Sequence, residues 1–399
     1  MKHYASGLLV TLLLSLPAYA AGTDDLSKAR AQVSFIYKRL AGIPPLATDL
    51  ESFATKLAGA ADKDAVLLEV ADAAVNTDSF YSKTVLDFAQ PESNEERELN
   101  DAAGTLSDLT ATIIGHVRDG KDYRTILYGD SLYIPNGQTY SPDNNTIYDT
   151  FYNQVKAGTA QLAAGLTEVP QAATTGLGQS AGIHTLRGFG SVYYDAGTNR
   201  APLRFTYLNY TCKDMEDFSD VTRSDVFVRR DVERAPGGDP AKFKTECVGC
   251  HAGMDPQANA FAYVNFVAGQ QAGTGRIQFA TAPVAKVNQN NDVFPTGAIV
   301  TDDSWMNLWL EGTNASAGWD ASKKSGKGIK SWAEMIASTK MFPDCMAKRA
   351  YKVVCLRDAS SSRDKAAVSQ LSTEFVNSGY NMKELFKAAA AECASKIGM

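Results

Sequence analysis

The stretch Cys247-Val248-Gly249-Cys250-His251-Ala252-Gly253-Met254-Asp255-Pro256 constrains this chain more than any other. Cysteines at i and i+3 project from the same side of a helical turn. His251 follows directly and can bring its imidazole to the same face. C-x-x-C-H is the spacing of c-type haem attachment, in which two thiols bond one porphyrin and the histidine reaches its iron. The spacing predicts a helix here. Asp255-Pro256 is expected to end it, because the residue before a proline is pushed out of the helical region.

The start of the chain supports this reading. Lys2 is a positive opening, and Leu8 to Leu16 form an apolar core too short to span a bilayer. Ala18-Tyr19-Ala20 then fits an A-x-A cleavage site, so residues 1–20 read as a signal peptide. The expected mature chain of about 379 residues is periplasmic or otherwise exported. Covalent haem attachment occurs outside the cytoplasm in bacteria, so export and motif fit together. No later stretch reads as a transmembrane segment. The net charge of −6 argues against nucleic acid and anionic membranes as partners.

Two other chemistries use paired cysteines. Zinc needs a fourth ligand and usually a second cysteine pair, but the remaining cysteines are single and scattered. A thioredoxin-like dithiol sits at a helix start after a strand, in a βαβ setting that is missing here. Because the motif occurs once, a di-haem peroxidase or a multihaem wire is disfavoured.

Periodicity predicts a mainly α protein with a loop-rich haem region. Val33, Ile36, Tyr37 and Leu40 recur at helical spacing, and Gly42-Ile43-Pro44-Pro45 stops that helix. Further helices are expected over 47–60, 64–76, 94–120 and 147–164. Residues 129–148, rich in Gly, Pro, Asn and Asp, read as loop. "PLRFTYLNYTC" leans helical. Phe342, Met346, Ala350 and Val354 form one apolar stripe, and Met382, Leu385, Phe386, Ala389 and Cys393 another. The expected organisation is a signal peptide at 1–20, an N-terminal helical region at 21–176, a cytochrome c-like haem region at 177–325 and a C-terminal helical module at 326–399.

The second axial ligand is open at this level. Met254 lies on the proximal side with His251 and is excluded. His184, in "SAGIHTLRGFG", and Met341, in "STKMFPDC", are the leading distal candidates. A hydrogen-bonded loop histidine and a core methionine are their ordinary alternatives. His116, Met215, Met306, Met335, Met346 and Met382 remain, as does an open position. Methionine would raise the reduction potential relative to histidine. Arg204, Arg229, Arg230 and Arg234 are candidate propionate partners.

Four cysteines lie outside the motif. Cys345 and Cys355, ten residues apart on one helix, stand roughly 15 Å apart along its axis. That exceeds the roughly 7 Å Cα limit of a disulfide. The expected pairing is Cys355–Cys393 with Cys212–Cys345, in keeping with an oxidising compartment.

"FIYKRLAGIPP", "ECVGCHAGMDPQANAFAYVNF", "MFPDCMAKRAYKVVCLRD" and "FVNSGYNMKELFKAAA" together resemble planctomycete-type c-type cytochromes of unknown function. The resemblance rests on the C-x-x-C-H-x-x-x-D-P haem segment and the helical modules on either side. It covers about 33–90, 180–266 and 325–393, while 100–175 match poorly. It implies haem ligation at Cys247, Cys250 and His251, and brings no established reaction. Those relatives often carry leucine where this chain has His184.

The expected function is single-electron transfer by a mono-haem c-type cytochrome that docks a redox partner protein, rather than catalysis. The rival expectations are a haem enzyme or small-ligand sensor with an open distal position, and a scaffold in which haem stabilises the fold.

Overall fold

The computed structural model describes residues 19–99 and 106–397. Of the leader expected at 1–20, residues 1–18 lie outside them. The fold is mainly α. Helices α1 (Tyr19–Leu40), α2 (Ala47–Gly59) and α3 (Lys63–Val75) come first. Val33, Ile36, Tyr37 and Leu40 are buried along α1, as their spacing predicts. Asp62 caps α3 by accepting from the Ala65 N–H at 3.0 Å.

Among the described residues the single helix expected over 94–120 is not found; its positions 100–105 lie outside them. Helix α4 covers only Asp108–Arg118. Ser107 caps it through a reciprocal exchange with Thr110. Upstream, the Asn94 side chain bonds both the N–H and the carbonyl of Glu98. Local bonds of that kind compete with a helix. The stretch 129–148 is not wholly loop either. Strand β1 (Ser131–Pro135) pairs antiparallel with β2 (Leu166–Pro170). Helix α5 (Thr146–Lys156) crosses between them and ends earlier than the expected residue 164. Gly158, at φ +71°, stops it. The Gly158 and Thr159 N–H groups turn back to the carbonyls of Val155 and Gln154, the paired bonds of a Schellman motif.

Helix α6 (Arg187–Tyr193) and helix α7 (Ala201–Tyr210) lead toward the motif, which lies on helix α8 (Val248–Ala258). Two short antiparallel pairs follow. Strand β3 (Val264–Ala268) pairs with β4 (Gly275–Phe279), and β5 (Ser304–Met306) with β6 (Ser325–Lys327). Helices α9 (Gly328–Ala337), α10 (Met341–Cys355), α11 (Ser362–Asn377) and α12 (Met382–Ser395) complete the described chain.

Both predicted C-terminal stripes face inward: Phe342, Met346, Ala350, Val354, Phe386 and Ala389 are fully buried. Helix α12 packs against α1 and α3, so the two ends of the chain meet. One apolar core runs through residues from Ala29 to Ala394. Both expected disulfides are present. Cys212–Cys345 ties the end of α7 to α10, and Cys355–Cys393 staples α10 to α12. No helix among the described residues is long and apolar enough to cross a membrane.

Candidate functional site

Helix α8 does not end at Asp255-Pro256. It runs through Pro256 to Ala258 and passes into a 3-10 turn at Asn259–Phe261. An interior proline costs about 3 kcal/mol in an isolated helix. Here Pro256 and Ala258 are buried and the Asp255 side chain is tied down on several sides, so tertiary anchoring overrides the local bias. A π-turn at Phe243–Cys247 leads into the helix. Such turns occur frequently at functional sites.

Two glycines seat this helix. A Cβ on Gly253 would stand 2.0 Å from Trp309 Nε1, and one on Gly249 would stand 2.2 Å from Ser219 Oγ. The helix therefore lies flush against both groups on its glycine side.

Cys247, Cys250 and His251 are brought together on one turn. Both thiols are unpaired and partly exposed, whereas the other four cysteines are joined in disulfides. Cys250 Sγ approaches the Met215 carbonyl at 3.5 Å. Burial, and after it Glu216, pushes the Cys250 thiol up. That is the opposite of the activation a redox dithiol needs. Among the described residues no three or more His, Cys, Asp or Glu side chains gather to hold a metal ion, as a zinc site would require.

His251 keeps 24% of its side chain exposed, and its Nδ1 lies 3.2 Å from Asp255 Oδ1. Asp255 is fully buried. Its Oδ1 also accepts from Arg200 Nε at 2.7 Å, and its Oδ2 accepts from Arg200 Nη2 at 3.0 Å and the Arg229 N–H at 2.9 Å. Burial would push this carboxyl up. The Arg200 charge and the His251 and Arg200 hydrogen bonds outweigh it and hold the group well below the usual carboxylate range. An ionised carboxylate only accepts, so in the neutral ring the proton sits on Nδ1 and Nε2 keeps the lone pair. That is the tautomer an iron ligand needs. Ligating histidines commonly donate their second nitrogen to a carboxylate or carbonyl. Two free thiols at i and i+3 beside this imidazole thus form a donor set that fits a covalently held haem.

The distal candidates lie in the core. His184 is fully buried. Its Nδ1 faces the carbonyls of Leu127 at 3.0 Å and Ala181 at 3.1 Å, and its Nε2 meets the Thr206 hydroxyl at 2.9 Å. Its ring packs against Phe189, Phe261 and Trp332. Both nitrogens are thus engaged within the protein. Met341 is buried at the start of α10, in the same core as Met346 and Met382. His116 is buried on α4, with Nδ1 2.9 Å from the Thr112 carbonyl.

The four candidate propionate arginines are committed elsewhere. Arg204 pairs with Asp214, Arg229 with Thr198 and Asn259, Arg230 with the Gly297 carbonyl, and Arg234 with the carbonyls of Val228, Arg229 and Val232. Periodicity missed Arg200, which bridges Asp255 and Asp231 with 16% of its side chain exposed. Only the pairing of an arginine with the two acidic residues could have flagged it, and they lie 31 and 55 positions away. Comparisons with protein-family models, curated proteins and solved structures found no match to this chain.

Proposed function

We propose that this chain is an exported mono-haem c-type cytochrome that passes single electrons to or from a redox partner protein. One observation carries the reading. Cys247 and Cys250 are the two unpaired cysteines, and they share a helical turn with His251, whose Nδ1 is tied to a buried carboxylate. In an oxidising compartment, two such thiols left unbridged call for another use. The resemblance to planctomycete-type cytochromes points the same way.

Bound haem would supply an iron that takes up and gives back one electron. Cys247 and Cys250 would hold the macrocycle through thioethers. His251 would offer Nε2 to the iron, and Asp255 would fix the ring's orientation. Gly249 and Gly253 let the helix carrying these groups sit close against Ser219 and Trp309.

A second reading has its own support. Both ring nitrogens of His184 are engaged and Met341 is buried in the core, which favours an open distal position and hence a small-ligand sensor or haem enzyme. The test is production with a c-type maturation system in an exporting host, followed by haem staining after denaturation. Haem that stays with the chain supports the proposal, and its loss on Cys247→Ala/Cys250→Ala confirms the attachment points. A chain that emerges without covalent haem sinks both readings. Absorption and magnetic circular dichroism then separate them. Low-spin iron in both oxidation states supports electron transfer, and high-spin ferric iron that binds CO or peroxide supports the open site.

A further inference from the structure

The chain of contacts behind His251 extends well past its first partner. Asp255 Oδ1 faces His251 Nδ1, and both Asp255 oxygens meet Arg200. The other side of the same guanidinium meets Asp231, with Nη1 at 2.6 Å from Oδ2 and Nη2 at 2.9 Å from Oδ1. Asp255 Oδ2 takes a further bond from the Arg229 N–H. The Arg229 guanidinium lies close by, bonded to the Thr198 carbonyl and to Asn259. Two aspartates and two arginines thus form a charge-balanced group on the far side of the imidazole from Nε2. None of this is needed merely to end a helix, since the helix continues past Asp255.

We propose that Asp255 is the positioning residue of the iron ligand His251, and that the Arg200–Asp231 pair behind it grades how strongly it pulls on the imidazole proton and so sets the reduction potential. The inference rests on the haem reading above. A carboxylate accepting from Nδ1 makes the imidazole a stronger donor at Nε2. A stronger donor favours ferric over ferrous iron, so it lowers the potential. Arg200 works against this by drawing charge from Asp255, and Asp231 works against Arg200 in turn. In the reaction concerned, a donor protein gives one electron and the ferric form becomes ferrous. No bond at Asp255 is made or broken.

The two neighbours of His251 in this chain have opposite signs, which makes the test specific. Asp255→Asn replaces the charged acceptor with a neutral one and leaves the group net positive, so the potential rises. Arg200→Gln frees the full carboxylate charge to act on His251 and leaves the group net negative, so the potential falls. Loosening that lets water reach the iron favours the more highly charged ferric form and lowers the potential in both variants. A rise in Asp255→Asn therefore does not come from structural damage.

The experiment is a spectroelectrochemical titration of the haem-loaded parent and both variants at one pH and salt. The expected result is an equilibrium constant for reduction at least about tenfold higher in Asp255→Asn, or about 59 mV for one electron, and lower in Arg200→Gln. An Asp255→Asn potential equal to or below the parent's overturns the inference. If that variant is not recovered with haem, Asp231→Asn replaces it. Freeing Arg200 for Asp255 should raise the potential, and an unchanged or lower value overturns the inference equally. A parent without covalent haem defeats the functional reading itself. A parent with haem and unmoved potentials defeats only the role of Asp255.

Discussion

Arg349 and Glu92 form an ion pair inside the core although 257 positions separate them. Glu92 is almost fully buried and also accepts from the Tyr210 hydroxyl, while Arg349 donates to the carbonyls of Phe88 and Asn209. The pair links the first third of the chain to α10. Breaking a buried pair by removing one partner costs about 3–5 kcal/mol, because the other charge is left unpaired. Arg349→Met is expected to lose that much in urea unfolding, and Arg349→Met/Glu92→Leu to regain most of it. Equal losses in the single and double variants would show that the charge left behind is not the cause.

The two disulfides should differ in weight. Cys212–Cys345 spans 133 positions and Cys355–Cys393 spans 38. Chain entropy gives about 5 kcal/mol for the first and about 4 kcal/mol for the second. Cys212→Ser/Cys345→Ser is therefore expected to lower the unfolding midpoint more than Cys355→Ser/Cys393→Ser. Cys212 also stands three residues before Met215, whose carbonyl meets Cys250, so under the proposed function its loss should reduce the yield of haem-loaded chain. Equal midpoints and equal haem yields for the two double variants would refute this ranking.

What was legible in the sequence was local. Phe342, Met346, Ala350 and Val354 show their shared face through helical spacing alone, and the spacing of Cys247, Cys250 and His251 is enough to bring the three onto one turn. What was not legible depends on distant partners. Strand β1 hides among turn residues because its pairing partner begins 31 positions after β1 ends. Asp255 read as a helix terminator because its arginine lies 55 positions upstream. The sequence leaves His184 open between a ligand and a hydrogen-bonded histidine, because the Leu127 carbonyl that engages it belongs to another segment. The disulfide pairing is only partly legible: geometry within one helix excludes Cys345–Cys355 and leaves two ways to pair the four cysteines, and distant packing decides between them.

The glycines of the motif helix predict a ranking. Gly253→Ala pushes a methyl group into the fixed indole of Trp309, and Gly249→Ala pushes one into the Ser219 hydroxyl, which rotates more easily. Overpacking typically costs about 1–3 kcal/mol. Gly253→Ala should fall in that range and Gly249→Ala below it, by urea unfolding. A larger loss for Gly249→Ala would mean that Trp309 is not what limits the approach of the helix.

His116 and His184 should make stability depend on pH. Burial pushes each imidazole from its ordinary value near 6.5 down to about 4. Between those values the unfolded chain binds protons that the folded chain refuses. Unfolding is therefore favoured progressively as pH falls from about 6.5 to about 4, and the contribution levels off below that. Above about 6.5 both rings are neutral in both states and nothing is lost. Each ring accounts for roughly 3 kcal/mol over the full window. Urea midpoints of the parent and of His116→Gln, measured from pH 7.5 to pH 4, isolate one ring, because the carboxylates titrate alike in both proteins. The parent should lose more stability than the variant, by about the share of one ring. Parallel pH profiles would show that His116 takes up its proton in the folded state without opening the core.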